Sequence, residues 1–425
     1  MNNSEPDNPT RTLSSPTPPS ERNPVIDILR GFALFGILLV NFPGSEAARA
    51  GGVDDAVGKL LSLFVSGKFY TTFSFLFGLG FALQLIRAQS RGQLIVPVYI
   101  KRMLVLFLIG LAHAILIWEG DVLMVYAVMG LFLVPFRNRS ARVLLPAVAL
   151  VLAAQFFLSF SDHPYFVRDL VPRVVNPEVE QESELQKAIA SNEIRDAWRR
   201  VWAADKSGTY LEAVAARFNA WKLSSRFMFR YIWLTSFAMF LLGMLAGRYR
   251  LIRYPLARSD LIKRVIWIAC PIWLVLGIFT TYGTQVLGPL YYRFHWRFTF
   301  LAWILQGPAG SLFYISTILF ILTRLPGWIA RLAPLAAVGR MALTNYLLQS
   351  IVGTILYYNY GLNLQTKLGY FPGLLLAMIV FALQILLSTW WLKRFRFGPM
   401  EWLWRSLTYG RFQPFLIPSL KPAEA

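Results

Sequence analysis

The sequence predicts an all-α, polytopic integral membrane protein with about ten transmembrane helices and both termini in the cytoplasm. Three observations support this fold class. Of the 425 residues, 56% are hydrophobic and 15% are charged, below the roughly 25% of charged residues in soluble domains. Apolar runs of roughly 17–25 residues recur along the chain. Arginine and lysine concentrate in alternate connections between these runs, an asymmetry that orients membrane helices.

The composition also argues against several classes of protein. The formal charge is +20, but the basic residues form small clusters between apolar runs, so membrane lipids and not nucleic acid are the expected partners. The single cysteine, Cys270, allows no intrachain disulfide and no Cys-based zinc or iron–sulfur site, and no metal is expected. No P-loop-like Gly-Lys-Ser/Thr motif is present, which argues against ATP-driven pumping by this chain.

The N-terminal region is read as a tail followed by a retained helix. Residues 1–23 are rich in Ser, Pro, Asn and Glu and are predicted to form a disordered cytoplasmic tail. The first apolar run, residues 25–43, contains Asp27 and Arg30, which leaves about 12 uninterrupted apolar residues, the length of a signal-peptide core. Because the preceding region is long and contains acidic residues, and because many spans follow, a retained first helix is favoured over a cleaved signal.

The remaining predicted spans follow at helical lengths. With the first, they cover approximately residues 25–43, 66–86, 100–118, 121–136, 143–160, 228–248, 264–282, 299–322, 335–358 and 372–392. Basic residues are frequent in the connection after every second span and scarce in the others. The positive-inside rule therefore places both termini in the cytoplasm.

A long polar insert, residues 161–226, divides the chain. It separates a first membrane half, residues 24–160, from a second, residues 227–394, with about five helices each, and orientation places it outside the cytoplasm. Residues 182–202 within it have a helical composition. Residues 395–425 form a cytoplasmic tail, whose first part combines aromatic and charged residues as in an interfacial amphipathic helix.

The second predicted span is unusual in its small residues. Ser74, Gly78 and Gly80 interrupt a run of phenylalanine and leucine. Small residues let the backbones of membrane helices approach closely. Helix packing is therefore the favoured explanation for this stretch.

Three ionisable residues lie in the apolar hairpin of the third and fourth spans. Orientation places His113 in the outer half of the third span, with Glu119 and Asp121 at the outer turn. Ionisable groups at membrane depth pair, line cavities or take part in chemistry. A carboxylate beside an imidazole supports general-base catalysis, so we predict that Asp121 or Glu119 orients His113. The structural alternative is a helix–helix hydrogen bond for His113 and a helix N-cap for Asp121.

Two further polar groups are candidates for binding. Asp27 and Arg30 share a helix face at the cytoplasmic end of the first span, and Asn41 follows about three turns later on nearly the same face. In one interpretation, Asp27 and Arg30 form an interfacial ion pair and the Asn41 amide bonds a neighbouring helix. In the other, Arg30 contacts an anion at the cytoplasmic side and Asn41 is a polar group deeper in a channel. Asn345 and Gln349 are four residues apart, and they either bond a neighbouring helix or line a substrate cavity.

Several of these motifs together resemble one family. They lie at residues 27–37, 73–80, 110–126, 339–350 and 398–405. In combination they resemble the YeiB-like family, bacterial inner-membrane proteins that carry a domain of unknown function and are often labelled as possible transporters. The resemblance covers about residues 24–415, and it implies a multi-pass protein of the bacterial inner (plasma) membrane.

The start of the first span is also similar to that of transmembrane acyltransferases of the heparan-alpha-glucosaminide acetyltransferase type. In those enzymes an Arg-Gly pair is followed, eleven positions past the Arg, by Asn, and the matching residues here are Arg30, Gly31 and Asn41. The resemblance implies cytoplasmic acyl-CoA as the donor substrate and an envelope or small-molecule acceptor. The family's histidine shortly after that Asn has no equivalent here. Either His113 replaces it from the third span, or the acyltransferase chemistry is absent.

The leading functional prediction is acyl transfer across the membrane. Arg30 would contact the anionic donor and Asn41 the acyl carbonyl, while His113 would activate an acceptor hydroxyl or amine with Asp121 or Glu119. A secondary transporter, with His113 and Asp121 as a proton relay, is the alternative. The third alternative is a membrane protein without catalytic activity. These residues specify neither the substrate nor the oligomeric state, and a homo-oligomer stays open.

Overall fold

The computed structural model describes residues 21–42, 52–161, 193, 195–228, 232–287, 289–365 and 367–417. Within these ranges every extended regular element is a helix, and one isolated β-bridge pairs Phe395 with Leu416. The predicted all-α class is therefore confirmed. Most of the predicted N-terminal tail and the first part of the insert lie outside the described residues.

The first half begins with a capped helix. The side chain of Asn23 accepts a hydrogen bond from the Val25 amide at 2.9 Å. Pro24 occupies the first helical position, where a backbone N–H would have no partner within the helix. The helices of this half are α1 (Pro24–Asn41), α2 (Gly52–Phe64), α3 (Lys68–Ser90), α4 (Val96–Leu116), α5 (Leu123–Leu131) and α6 (Ala141–Ser161).

The insert and second half are also helical where described. The helix predicted at residues 182–202 is described only in part, and its described portion belongs to α7 (residues 195–207). The further helices are α8 (Tyr210–Met228), α9 (Leu234–Arg248), α10 (Ser259–Leu287), α11 (Pro289–Arg324), α12 (Gly327–Arg331), α13 (Ala333–Arg340), α14 (Ala342–Tyr357), α15 (Tyr370–Trp391) and α16 (Pro399–Tyr409).

Seven stretches of the described chain are long and apolar enough to cross a membrane, so the protein is a multi-pass membrane protein. They are Pro24–Asn41, Gly52–Ser90, Val96–Leu116, Ala141–Leu158, Leu256–Gly283, Phe298–Arg324 and Tyr370–Trp391. The expected count of about ten exceeds these seven because three predicted spans fold as short or interrupted helices. The nine-residue α5 gives way to a 3₁₀ turn containing Pro135, α9 has 15 residues, and Met341 separates α13 from α14.

Glycines bring two pairs of helices into backbone contact. A Cβ at Gly78 in α3 would overlap the Phe240 carbonyl of α9, and a Cβ at Gly243 in α9 would overlap the Phe75 carbonyl. In the same way, Gly339 of α13 lies against the Asp27 carbonyl of α1. These contacts agree with the packing explanation for the second predicted span. They hold α3 against α9 and α1 against α13, and α1, α3 and α13 each contribute residues to the site described next.

Candidate functional site

One end of the helical assembly contains a cavity of about 1110 Å³ with a basic wall. It lies between α1, α3, α4, α5, α13, α14 and α16, and most of its lining is aliphatic or aromatic. Among the described lining residues, its charged groups are Arg30, Arg102, Arg340, Arg405 and Glu401. We call it the basic cavity.

The C-terminal helix α16 holds Arg102 in place. The Arg102 guanidinium lies over the Trp404 ring at 4.0 Å and donates a hydrogen bond to Oε1 of Gln84 at 3.2 Å. The indole of Trp404 donates in turn to the Arg102 carbonyl at 2.9 Å. A guanidinium that stacks on an aromatic ring keeps donors available for an anion, because stacking uses its face and not its edge.

The carboxylate of Glu401 is bound to a helix terminus. It accepts hydrogen bonds from the amides of Leu343 and Thr344 at 2.6 and 3.1 Å and from the Thr344 hydroxyl at 2.6 Å. It therefore caps the positive end of α14. Burial raises the pKa of Glu401, whereas burial and then the charge of Arg102 lower the pKa of Arg405 to about 10. A bound anion would relieve this repulsion between guanidinium groups.

His113 and Asp121 form a buried pair in the hairpin between α4 and α5. Nδ1 of His113 lies 2.9 Å from Oδ1 of Asp121, and the other oxygen of Asp121 accepts the Met124 amide at 2.8 Å. Gly110 allows this approach, because a Cβ there would lie 2.7 Å from the Met124 nitrogen. Asp121 thus both pairs with the imidazole and bonds the first turn of α5. Nε2 of His113 is buried and has no hydrogen-bond partner within the described ranges of the chain.

A second cavity, of about 910 Å³, lies at the opposite end of α1. Its polar lining residues include Asn41, Glu119, Asp205 and Gln349, and its aromatic lining residues include Trp118, Trp202, Tyr357 and Tyr358. We call it the acidic cavity. Arg30 in the basic cavity and Asn41 in the acidic cavity are separated by eleven residues of α1, or about 16 Å along its axis.

The His113 imidazole contacts one wall residue of each cavity. Its ring centroid lies 5.2 Å from that of Tyr346, which lines the basic cavity, and 6.4 Å from that of Trp118, which lines the acidic cavity. His113 itself is 1% exposed and lines neither cavity. The imidazole therefore lies inside the partition between the two cavities.

Glu119 is oriented away from the partition by an arginine of the insert. Oε2 of Glu119 lies 3.4 Å from Nε of Arg217, and the Tyr358 hydroxyl donates to the same oxygen at 3.3 Å. Asp205 binds a second nitrogen of Arg217 at 2.8 Å. Burial, then the charge of Asp205, raises the pKa of Glu119. Of the two carboxylates predicted to orient His113, the structure brings Asp121 to the ring.

The remaining sequence-predicted residues lie apart from His113. Asp27 pairs with Arg30 at 3.1 Å. Asn345 is buried and donates to Ser388 of α15 at 2.9 Å, as an interhelical contact, and it lines neither cavity. Gln349 bonds Gln384 of α15 at 2.9 Å and lines the acidic cavity as well. The structure thus divides the predicted set between two cavities and a helix contact.

Several residues of the basic cavity are absent from the sequence-predicted site. Arg102 and Arg340 lie near the starts of predicted spans, where basic residues indicate orientation, and Arg405 lies in the stretch that resembles an interfacial helix. Tyr346 lies inside a predicted apolar span. A usable signal was the tail motif at residues 398–405, which places Glu401 and two tryptophans close to Arg405. Among the described residues, no group of three or more His, Cys, Asp or Glu side chains is placed to hold a metal ion.

The fold is that of a multi-pass membrane protein, and two family profiles match parts of the chain. Residues 22–173 match the family profile described as heparan-alpha-glucosaminide N-acetyltransferase, catalytic. Residues 246–411 match the profile described as protein of unknown function (DUF418). The basic cavity draws on both segments, since Arg30, Arg102 and Tyr126 lie in the first and Tyr346 and Arg405 in the second.

Relatives over the full length place the chain in one family. It is 34% identical to the uncharacterized protein YxaH of Bacillus subtilis (strain 168), over 94% of this chain and 97% of that protein. It is 30% identical to an uncharacterized 39.9 kDa protein in the amylase 3′ region of Bacillus acidopullulyticus, over 93% and 96%. It is 28% identical to the uncharacterized protein YeiB of Escherichia coli (strain K12), over 91% and 96%. The chain belongs to the YeiB-like DUF418 family, as its motifs indicate. No solved structure matches it.

Proposed function

We propose that this protein transfers an acyl group from acyl-CoA, bound in the basic cavity, to an acceptor that enters the acidic cavity. The observation that carries the proposal is the position of the His113–Asp121 pair, in the partition between two cavities of opposite charge. The similarity of residues 22–173 to the heparan-alpha-glucosaminide N-acetyltransferase profile supports the reaction class.

The basic cavity suits an acyl-CoA in both charge and shape. Four guanidinium groups and one helix-bound carboxylate line its described walls, so phosphate groups would find charge-assisted donors. Deeper in the cavity, Leu34, Phe77 and Leu106 form an apolar wall for the pantetheine and acyl group. By the positive-inside rule this end faces the cytoplasm, where acyl-CoA is available, and the bacterial plasma membrane is the proposed location.

The pair supplies a general base. With Asp121 accepting from Nδ1–H of His113, the lone pair of Nε2 is left to receive a proton. The acceptor nitrogen or oxygen would form a bond with the thioester carbonyl carbon while its proton passes to Nε2. The carbon–sulfur bond would then break, and the imidazolium would return the proton to the leaving thiolate. The products are the acylated acceptor and CoA.

Two neighbouring groups have proposed roles in this step. The Tyr346 hydroxyl accepts the Val122 amide at 3.3 Å, while the acceptor for its own proton, the Gly120 carbonyl, is 3.5 Å away. Since the second contact is long, Tyr346 can donate to the developing oxyanion. Asn41 lies on the acceptor side, so we assign it to the acceptor and not to the thioester. The acceptor reaches Nε2 by displacing Trp118, whose ring lies next to the imidazole.

The test is transfer of radiolabelled acetyl from acetyl-CoA to the lipid, glycan and small-molecule fractions of vesicles that contain the protein. We expect label in one acceptor fraction with the native chain and loss of that label with His113→Gln. Full transfer by His113→Gln would overturn the proposal. A matched control is Asp260→Asn, since Asp260 is an exposed carboxylate in the first turn of α10.

A secondary transporter is the second candidate, and one observation favours it. Two cavities at opposite ends of α1 with a buried partition between them also suit a solute path that opens to one side at a time. In that case His113 and Asp121 would form a proton relay. Counterflow of solute in vesicles without an acyl donor would support transport, and label transfer without counterflow would support the enzyme.

A further inference from the structure

The acidic cavity presents hydrogen-bond acceptors without matching donors. Gln349 is 2% exposed, and its Nε2 is used by Gln384 at 2.9 Å, while its Oε1 is buried and has no hydrogen-bond partner among the described residues. Oε1 of Gln365, on the same cavity, also has no partner in the part of the chain that the structure describes. Buried acceptors are normally satisfied, so these atoms indicate a missing donor group.

The charges of this cavity are incompletely balanced. Glu119 and Asp205 line it, and both contact the guanidinium of Arg217, at 3.4 and 2.8 Å. When both carboxylates are ionised, the contacts of the described residues leave one negative charge without a counterion. Arg217 is 1% exposed and does not line the cavity, so it cannot screen the carboxylates on the side that faces the empty space. A second cation there would be electrostatically favourable.

Aromatic side chains form another part of the wall. Trp118 and Trp202 lie on the cavity with Tyr357 and Tyr358. The guanidinium of Arg217 already lies over the ring of Tyr358 at 5.2 Å. Aromatic faces attract cations, and they also pack against the hydrocarbon part of an amphipathic ligand. An inorganic anion would meet none of these favourable contacts.

We propose that the acidic cavity is a binding site for a protonated amine with an attached apolar or aromatic group. The ammonium donates hydrogen bonds to the Glu119 carboxylate and to Oε1 of Gln349, and the hydrocarbon part packs against Trp118 and Trp202. This inference concerns binding alone. Where it joins the acyl-transfer proposal, on which that second step rests, the bound ammonium first gives one proton to the Glu119 carboxylate. The neutral amine, which then carries a lone pair, is the acceptor that approaches His113.

The experiment is calorimetric titration of the full chain in lipid nanodiscs, without acetyl-CoA. Phenethylamine is the probe, and 2-phenylethanol, which carries a hydroxyl in place of the ammonium, is its neutral match. We expect the amine to bind at least about tenfold more tightly than the alcohol, since one charge-assisted hydrogen bond contributes about 1.5–3 kcal/mol. Equal binding of the two, or no binding of the amine, would contradict the proposal.

Variants show whether binding occurs at this cavity. Glu119→Gln keeps the shape of the side chain and removes its charge, and we expect it to weaken amine binding about tenfold or more while leaving alcohol binding unchanged. Asp196→Asn changes an exposed carboxylate of α7 and is the matched control. If Glu119→Gln unfolds the chain, Trp202→Leu tests the aromatic wall, with an expected loss of binding for both probes. Unchanged amine affinity in both variants would overturn the assignment.

A different ligand class would give a distinct result. If glucose binds more tightly than phenethylamine and Glu119→Gln leaves that binding unchanged, the cavity is a polyol site and the proposal is wrong. If the amine binds as expected but is never acetylated from labelled acetyl-CoA, the binding site stands and acyl transfer to it fails. The two proposals are therefore separately testable.

Discussion

His113 and Asp121 are held together at 2.9 Å, in a partition between two cavities that are lined by charges of opposite sign. His113 is 1% exposed and Asp121 3% exposed. The second oxygen of Asp121 binds the Met124 amide at 2.8 Å, so the carboxylate is fixed at both oxygens. A simple helix–helix hydrogen bond would use the imidazole without leaving Nε2 buried and unsatisfied. The unsatisfied Nε2 therefore favours the catalytic interpretation of His113 over the structural one.

The first prediction concerns this pair. His113→Gln should lower the rate of acetyl transfer about 10²–10⁴-fold, the usual contribution of a general base. Asp121→Asn should also lower it, because an amide can stabilise the wrong imidazole tautomer. The KM for acetyl-CoA should stay within about twofold in both variants, since neither residue lines the basic cavity. A rise in KM at unchanged kcat would contradict the assignment.

The second prediction concerns donor binding. Arg102→Gln should weaken binding of CoA to the purified protein about 10–100-fold, because a charge-assisted hydrogen bond to phosphate contributes about 1.5–3 kcal/mol. The native affinity should also fall as salt is raised, by screening. Arg394→Gln is the control, as Arg394 stacks on Trp390 outside the cavity. Equal CoA binding by both variants would place the donor elsewhere.

The third prediction concerns the link between α16 and α14. Glu401→Ala removes three hydrogen bonds from the start of α14 and should lower the free energy of unfolding by about 1–2 kcal/mol. Glu401→Gln keeps an acceptor oxygen, so its effect should be smaller. Thermal unfolding in detergent measures both. If the alanine and glutamine variants lose the same stability, the cap is not the source of the effect.

Long apolar runs allowed the sequence to predict most of the fold. The runs that became α1, α4 and α15 are long and apolar enough to cross a membrane, and length with hydropathy alone identifies them. Hydropathy could not predict the break at Met341, because it depends on a cap from Glu401, about sixty residues later. Hydropathy also could not predict that α5 has only nine residues, because neighbouring helices bury this short helix.

The site could be predicted only where sequence separation is small. Asp121 lies eight residues from His113 across a tight turn, so their contact follows from the hairpin itself. Arg405 reaches the basic cavity through the docking of a C-terminal helix on α4, which no local pattern encodes. Asn41 was grouped with Arg30 because both lie near one face of α1. The axial distance along that helix places them in different cavities.

The fourth prediction concerns the crossing of α3 and α9. Gly78→Leu should destabilise the protein by several kcal/mol and lower its yield, because any side chain at Gly78 must displace the Phe240 carbonyl of α9. Gly327→Leu is the control, since a Cβ there meets nothing within 4 Å. Detergent-solubilised yield and thermal unfolding measure the difference. Similar stability of the two variants would show that α3 and α9 separate without cost.

The last prediction is the pH dependence of amine binding in the acidic cavity. The charged and titratable groups that face Glu119 are Asp205 from α7, Arg217 from α8 and Tyr358 after α14. Burial, then the charge of Asp205, raises the pKa of Glu119, so this carboxyl takes up its proton above the usual value of about 4.3. A neutral carboxyl loses the ionic contact with the ammonium.

The affinity for phenethylamine should therefore be highest near neutral pH and should fall as pH decreases through the raised pKa of Glu119. The amine stays protonated over this range, since alkyl ammonium groups titrate near about pH 10, so the change belongs to the protein. Titrations at several values between about pH 8 and about pH 4 measure the effect. Glu119→Gln should bind weakly with a shallower pH profile, from Asp205 alone. Constant affinity down to about pH 4 in the native chain would mean that the ammonium does not contact Glu119, since a carboxyl with a raised pKa is mostly protonated there.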